Sequence, residues 1–268
     1  MTTRVAVIGA TGKMGRLVSA LNEDTDGYEL VARLNSRSDL SEMLGADVAV
    51  DLTVPGVSQS VVEFAVANGI RVLVGTSGWS QERIDSLTFL LAGRDDTGVI
   101  IIPNFSIGSV LGSAFAAQAA RFFDSIEIVE AHQAGKVDSP SGTAVRTAEL
   151  IGRARADLGP VSAPHTDQRA RGQQVSSVPV HSLRLEGLLA RQDVFLGGPG
   201  ETLTISHNTL SASAYERGIL LALAAARTAS GVTVGLDRIV DLGLTEAGVA
   251  PTGTGQGAAG PTDPGAAE

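Results

Sequence analysis

Residues 4–15, Arg-Val-Ala-Val-Ile-Gly-Ala-Thr-Gly-Lys-Met-Gly, limit what this chain can fold into more than any other stretch. Residues 4–8 read as a buried strand that stops on Gly9, and Gly12 and Gly15 follow at intervals of three. Gly9 suits a sharp turn. Gly12 lets backbone N–H groups approach an anion, and Gly15 permits close packing of a helix on the strand. A helix predicted over residues 13–22 then aims its N-terminal amides beyond the strand end, where the helix dipole favours negative charge. The spacing is G-x-x-G-x-x-G, not the commoner G-x-G-x-x-G, and three glycines alone are weak evidence. Their place between a strand and a helix makes dinucleotide binding by Gly9, Ala10, Thr11, Gly12, Lys13 and Met14 the better reading than an ordinary turn.

The pattern continues in the same style. Residues 29–34, 48–53, 71–75 and 99–102 read as further strands. Residues 57–68 and 81–92 have helical spacing, with Ser80 as an N-cap. Strands alternating with helices imply an α/β fold: a Rossmann-like, doubly wound parallel sheet with right-handed crossovers. After Pro103-Asn104-Phe105 the pattern changes. A long Ala-rich helix is predicted over 107–123, a strand over 126–131 and a helix over 143–156. A polar stretch without periodicity, 159–177, follows. Residues 180–185, 193–196 and 202–207 look like antiparallel strands, which suggests a second α/β domain with an open mixed sheet. Residues 216–227 are helical, and 237–242 form a last short element returning to the first domain. The expected division is 1–106 with 216–244 as the dinucleotide-binding domain and 107–215 as the substrate-binding and oligomerisation domain. Residues 245–268, mostly Gly, Ala, Pro and Thr, read as a disordered tail.

Composition excludes several function classes. The formal net charge of −9 argues against nonspecific binding to nucleic acid or an anionic membrane. The absence of cysteine removes disulfides, thiolate metal sites and cysteine nucleophiles, and no metal site is expected. The N-terminus lacks the pattern of a signal peptide and no stretch is apolar for long enough to cross a bilayer, so the expectation is a cytoplasmic protein. Aromatic residues are only 4%, so the core must be aliphatic.

Chemistry concentrates in Glu130-Ala-His-Gln-Ala-Gly-Lys-Val-Asp-Ser-Pro-Ser-Gly-Thr-Ala144. A lone histidine is more often structural than catalytic, and that caution covers His165, His181 and His207. His132 differs because Lys136 and a Pro-Ser-Gly-Thr turn follow it. Ser141 can cap a helix, and Gly142 and Thr143 can offer backbone N–H groups to a carboxylate. Lys136 adds a fixed positive charge or a proton. The plain alternative is a well-capped helix after a loop. Gly75-Thr76-Ser77-Gly78 and Pro103-Asn104-Phe105 follow strands of the first sheet, where ligands of open α/β sheets bind, and so fall where a nicotinamide ring is expected. Near the end of the second strand, Asn35 stands where an NAD-specific site carries an acid, with Arg33 and Arg37 close by. Asn and Arg accept a 2′-phosphate that an acid repels, so NADPH should serve at least as well as NADH; the alternative is that both arginines are solvated surface charges.

These motifs, in this order, resemble the 4-hydroxy-tetrahydrodipicolinate reductase (dihydrodipicolinate reductase) family of bacterial lysine and diaminopimelate synthesis. The family signature E-x-H-H-x-x-K-x-D-x-P-S-G-T-A is matched except at Gln133. Asp51-Leu-Thr-Val-Pro55, Gly75-Thr-Ser-Gly-Trp79 and Pro103-Asn-Phe-Ser-Ile-Gly108 match further family segments. The resemblance, over roughly residues 4–243, implies His132 as acid/base group and Lys136 as proton donor. It implies Ser141, Gly142 and Thr143, with Gln133 beside them, as binders of a dicarboxylate substrate. Gly9 to Met14, Gly75 to Ser77, and Ile102 with Pro103, Asn104 and Phe105 would bind NADPH or NADH. It also implies a homotetramer built through the second sheet and hydride transfer to a conjugated cyclic imine with loss of water; because the two ligands would sit on different domains, closure about hinges near Phe105 and Tyr215 is expected. Gln133 replaces a histidine and cannot carry charge, so weaker carboxylate binding or a flatter pH profile is expected. Two rival readings are a related NAD(P)-dependent imine or amino-dicarboxylate dehydrogenase and a non-catalytic dinucleotide-binding regulator.

Overall fold

The computed structural model describes residues 2–240; the expected tail at 245–268 lies outside the described residues. Strands β1 (Thr3–Ile8), β2 (Tyr28–Leu34), β3 (Val48–Asp51), β4 (Arg71–Val74), β5 (Gly98–Ile101) and β11 (Gly231–Val234) form one six-stranded sheet in the order β11-β5-β4-β3-β1-β2. Every pairing in it is parallel. The order reverses at β1, which leaves a crevice between the carboxyl ends of β1 and β3, the place where such sheets bind ligands.

The sheet is covered on both faces, as parallel sheets generally are. Ala6 and Ile8 pack with Val61, Val62 and Ala65 of α2 (Pro55–Ala67) and Leu87 of α3 (Gln81–Leu90). Val5 and Val7 point the other way, onto Val18 of α1 (Lys13–Asp24) and Ile219 and Leu223 of α6 (Glu216–Ala226). Ser80 caps α3 as expected, accepting from the Arg83 N–H. Strand β11 was not anticipated: Gly-Val-Thr-Val is four residues long, half-buried and at the sheet edge, too short to show a period.

The second sheet is mixed, β10-β9-β6-β8-β7, built from β6 (Ser125–His132), β7 (Gln173–Val175), β8 (Val178–Arg184), β9 (Ala190–Gly198) and β10 (Glu201–Thr209). The antiparallel expectation holds for β9 and β10, but β8 runs parallel to β6. The crossover is α5 (Gly142–Ala154) with the polar stretch after it, long enough to return the chain to the same end of the sheet. That stretch is not wholly irregular, since it holds a 3₁₀ turn at Arg169–Arg171 and strand β7. One face of this sheet, with Ile126, Ile128, Val194 and Leu196, packs on α5 and on α4 (Ile107–Ala119). Helix α4 ends before the expected residue 123 and tightens into a 3₁₀ turn at Ala120–Phe122, because the buried guanidinium of Arg155 takes up the carbonyls of Ala120 and Phe123. Among the described residues no helix is long and apolar enough to cross a membrane.

Candidate active site

The glycine loop has the geometry that its spacing implies. Gly9 lies at φ 85°, and a Cβ there would meet the Leu52 carbonyl oxygen at 2.4 Å. A Cβ on Gly15 would lie 2.1 Å from the Gly9 carbonyl oxygen, so α1 packs against the turn only because residue 15 has no side chain. Gly12 is the N-cap of α1 and provides no side-chain cap. The first amides of α1 therefore have no partner within the helix and suit a phosphate.

Across the crevice, β6 brings ionisable side chains to the cleft. Its inward positions run Ile126, Ile128, Glu130, His132, so the apolar alternation turns ionisable where the strand leaves the core. Glu130 is fully buried. Its carboxylate accepts from His132 Nδ1 at 2.6 Å, from Arg184 Nη1 and Nη2 at 3.0 and 2.9 Å, and from the Ser141 backbone N–H at 3.1 Å. Burial pushes the Glu130 carboxyl up, but the bonds from Arg184, Ser182 and His132 outweigh it and hold its pKa below the ordinary value. For His132, burial is the largest effect and lowers the pKa. Glu130 opposes that shift, while the charges of Lys136 and Arg184 add to it. The imidazole is thus neutral at neutral pH, with Nδ1–H given to Glu130 and Nε2 left for a ligand.

Lys136 is held by a turn, its N–H bonding the Gln133 carbonyl at 3.0 Å, and its ammonium donates to Asp138 at 2.7 Å. Ser141 caps α5 through Ala144 N–H at 3.3 Å. The amides of Gly142 and Thr143 stand in the first turn of α5, and a Cβ on Gly142 would meet nothing within 4 Å, so the space above this helix start is open. The cofactor-side loop touches the same place: Asn104 Nδ2 donates to Thr143 Oγ1 at 3.1 Å and to Ser109 Oγ at 3.0 Å.

One cleft of about 540 Å³ joins the two halves. From the first sheet it is lined by Lys13, Met14, Gly75, Pro103, Asn104 and Phe105; from the second by His132, Gln133, Lys136, Ser141 and Thr143. The other expected residues do not line it. Gly9, Ala10, Thr11 and Gly12 lead up to its Lys13 edge along the chain, and Gly142 lies between Ser141 and Thr143, which do line it. Ala10 and Ile102 have their side chains in the core, which leaves only their backbone for a cofactor. Thr76 is buried and Ser77 exposed, both next to the lining Gly75. Asn35 closes a local turn, accepting from the Arg37 N–H at 2.9 Å, while Arg33 is ion-paired to Glu23.

Sequence reasoning passed over four residues here. The motifs give Glu130 no role and do not bring Arg184, Gln192 or His207 to the site. A Glu two residues after Ile128 in a period-two strand was the available signal for the first. The others needed strand register: Glu130 pairs with Ser182 and Gln192, and Gln192 with His207, so a polar row crosses the sheet beneath the cleft. His207 Nε2 lies 3.2 Å from Ser106 Oγ and, like Gln192, lines the cleft.

Residues 3–105 match the family model described as dihydrodipicolinate reductase, N-terminus, and residues 108–240 the one described as dihydrodipicolinate reductase, C-terminus. The chain belongs to the dihydrodipicolinate reductase family. Within it, the chain is 63% identical over 265 residues to the 4-hydroxy-tetrahydrodipicolinate reductase of Clavibacter michiganensis subsp. michiganensis, covering 99% of this chain and 96% of that protein. It is 48% identical over 248 residues to the enzyme of the same name from Streptomyces griseus, covering 89% and 98%. The solved structure of dipicolinate-bound dihydrodipicolinate reductase from Paenisporosarcina sp. TG-14 superposes with a TM-score of 0.75 at 29% identity, covering 90% of this chain and all of that one. GenD2 from gentamicin A biosynthesis, solved with NAD, shares the fold alone, with a TM-score of 0.59 at 14% identity. The family and fold class expected from the motifs are those found.

Proposed function

We propose that this chain catalyses the nicotinamide-dependent reduction of 4-hydroxy-tetrahydrodipicolinate to tetrahydrodipicolinate, with loss of water, in diaminopimelate and lysine synthesis. The observation that carries this reading is the shared cleft: His132, Lys136 and the start of α5 face Lys13, Gly75 and the 103–105 loop. The turn of Gly9 and the tight seat of Gly15 fit a dinucleotide phosphate, which the amides at the start of α1 would hold. Gly75 and Pro103 to Phe105 would hold a reduced nicotinamide, which would supply the hydride. We assign NADPH a role at least equal to NADH, supported by Asn35 and the neighbouring Arg37.

The chain's own groups do the rest. Gly142 and Thr143 amides, with Ser141 and Gln133, bind one carboxylate and orient the ring. Lys136 leaves Asp138, neutralises charge and donates the proton that completes reduction of the conjugated imine. Neutral His132 accepts through Nε2 and keeps the substrate's polar edge aligned. The two crossings between the halves lie side by side, since a Cβ on Gly218 would sit 1.8 Å from the Phe105 carbonyl oxygen. That adjacency supports hinges near Phe105 and Tyr215, to be checked by solution scattering, where compaction is expected with cofactor plus dipicolinate. We read the protein as a cytoplasmic homotetramer, assembled through the helix-free face of the second sheet, where Phe195 is 44% exposed. The test of the main reading is a coupled assay with synthase-generated substrate, following NADPH or NADH oxidation; no turnover with either cofactor refutes it.

A further inference from the structure

The mechanism above uses His132, Lys136 and the first turn of α5, yet none of the three is anchored to the others by its own chemistry. They come from a strand end, a loop and a helix start. What joins them is Glu130. One oxygen of its carboxylate, Oε2, takes His132 Nδ1 at 2.6 Å and Arg184 Nη1 at 3.0 Å. The other, Oε1, takes Ser141 N–H at 3.1 Å and Arg184 Nη2 at 2.9 Å. The Arg184 fork reaches further, donating to the carbonyls of Asp138 at 2.6 Å and Leu183 at 2.7 Å. A single carboxylate with no exposed surface thus ties together the imidazole, the helix start and, through Arg184, the loop that carries Lys136.

We propose that Glu130 is the positioning residue of the reaction: it fixes the distance and orientation between His132 and the carboxylate-binding turn of α5, and it selects the His132 tautomer that leaves Nε2 for substrate. The inference rests on the function proposed above and deepens it. Four donor contacts besides that of Ser182 converge on this carboxylate, which is more than a buried charge needs for bare compensation by one arginine. They also join groups that sequence separates by as many as 54 positions. Were Glu130 only the counter-ion of Arg184, the fork would satisfy it without the His132 and Ser141 bonds.

The charged groups around His132 are Glu130 on its own strand, Lys136 on the following loop and Arg184 on β8; its partner on β9 is Ala190, which carries none. Glu130 is the only one of these that favours the imidazolium. Its removal therefore lowers the His132 pKa further, and the acid limb of activity, below which His132 becomes protonated, moves to lower pH.

Three measurements on the full-length protein test this. In the wild type, nitrogen-15 NMR of the histidines, with His132→Asn to assign the signal, should show a neutral Nδ1–H tautomer; an Nε2–H tautomer overturns the proposal without any turnover being needed. In Glu130→Gln, kcat should fall by about tenfold to a hundredfold, the acid limb should shift down, and dipicolinate should bind more weakly by calorimetry. A variant that loses thermal stability but keeps kcat per folded molecule, its pH limb and its dipicolinate affinity assigns Glu130 a merely structural role. Should Glu130→Gln not fold, Glu130→Asp keeps the charge but withdraws it by one methylene; a wild-type pH limb and wild-type kcat there also overturn the idea. Absence of turnover in the wild type strikes the proposed function instead, while the tautomer and dipicolinate results still decide the role of Glu130.

Discussion

The two sheets solve the problem of burying a strand differently. Strands β3 and β5 of the six-stranded sheet are buried at every position, and β4 at all but Arg71. Their interior is mostly Val, Leu, Ile and Ala, held by packing; the exception is Asp51 at the end of β3, buried and bonded by the hydroxyls of Thr53 and Ser58. The five-stranded sheet buries one face under α4 and α5 and carries paired carboxylates on its strands: Glu130 ion-paired with Arg184 and hydrogen-bonded to His132, Glu127 ion-paired with Arg171 of the 3₁₀ turn and hydrogen-bonded to His181, and Asp193 ion-paired with Arg191. A sheet that is a scaffold can be apolar except where a strand ends. A sheet whose strand carries Glu130 and His132 to the edge of the cleft must bring charge into its structure and satisfy it there.

The sharpest way to break this comparison is at the loop chemistry. Lys136→Ala should lower kcat by about a thousandfold, a barrier rise of roughly 4 kcal/mol, while cofactor affinity measured by fluorescence titration stays unchanged; a matching loss of cofactor binding would mean that the halves are not separable. Next comes packing. Leu73, fully buried in β4, contributes through volume alone, so Leu73→Ala should cost about 2–5 kcal/mol in denaturant unfolding, with no dependence on pH between 5 and 8 (about the range where exposed histidines alone titrate).

The second sheet should respond to acid instead. Glu127, Glu130 and Asp138 all have pKa values lowered below the ordinary range: burial raises each, and bonds from Arg171 with His181, from Arg184, and from Lys136 overcome it. A folded pKa below the unfolded one gives stability that is present above the ordinary values of 4.5 for Glu and 3.8 for Asp and is lost as pH falls through the folded values. His132 and His207, whose pKa values burial lowers, act in the same direction from about 6.5 downward, because the unfolded imidazole takes up a proton more readily. Hydrogen exchange on lowering the pH should therefore open β6 and β8 before β3 and β4; simultaneous opening would erase the distinction.

Smaller effects sharpen the cofactor and substrate ends. Arg33 is occupied by Glu23, whereas Arg37 bonds Asn35 through its backbone N–H. Arg37→Ala should raise KM for NADPH by about fivefold to tenfold, near 1 kcal/mol for an exposed charge, and Arg33→Ala by less; steady-state kinetics with both cofactors decides, and a strong wild-type preference for NADH would refute the 2′-phosphate reading. Smallest of all, Gln133→His should tighten KM for substrate by about threefold at acidic pH through a partial positive charge; an unchanged KM and pH profile would make Gln133 incidental.

Much of this was legible in the chain because it depends on neighbours in sequence. The glycine spacing, the caps at Ser80 and Ser141, and the alternation of strand and helix in the first half each follow from local sterics and hydrogen bonding. Strand β11 was not legible, since four half-buried edge residues leave no periodic trace, and neither was the parallel pairing of β8 with β6, which depends on how a crossover returns. At the site, His132, Lys136 and Ser141 to Thr143 announced themselves by spacing. Arg184 and Gln192 did not, because a residue 54 positions away along the chain comes into contact only through strand register.

The sequence by itself determined a dinucleotide-binding α/β half, a reactive segment and the family, since each is written in residues close together along the chain. The tertiary structure alone decided that His132 stays neutral, that Arg33 is engaged by Glu23, and that one buried carboxylate, Glu130, bonds His132, Arg184 and the Ser141 amide together. Burial and long-range pairing set those properties, and neither is a function of local sequence.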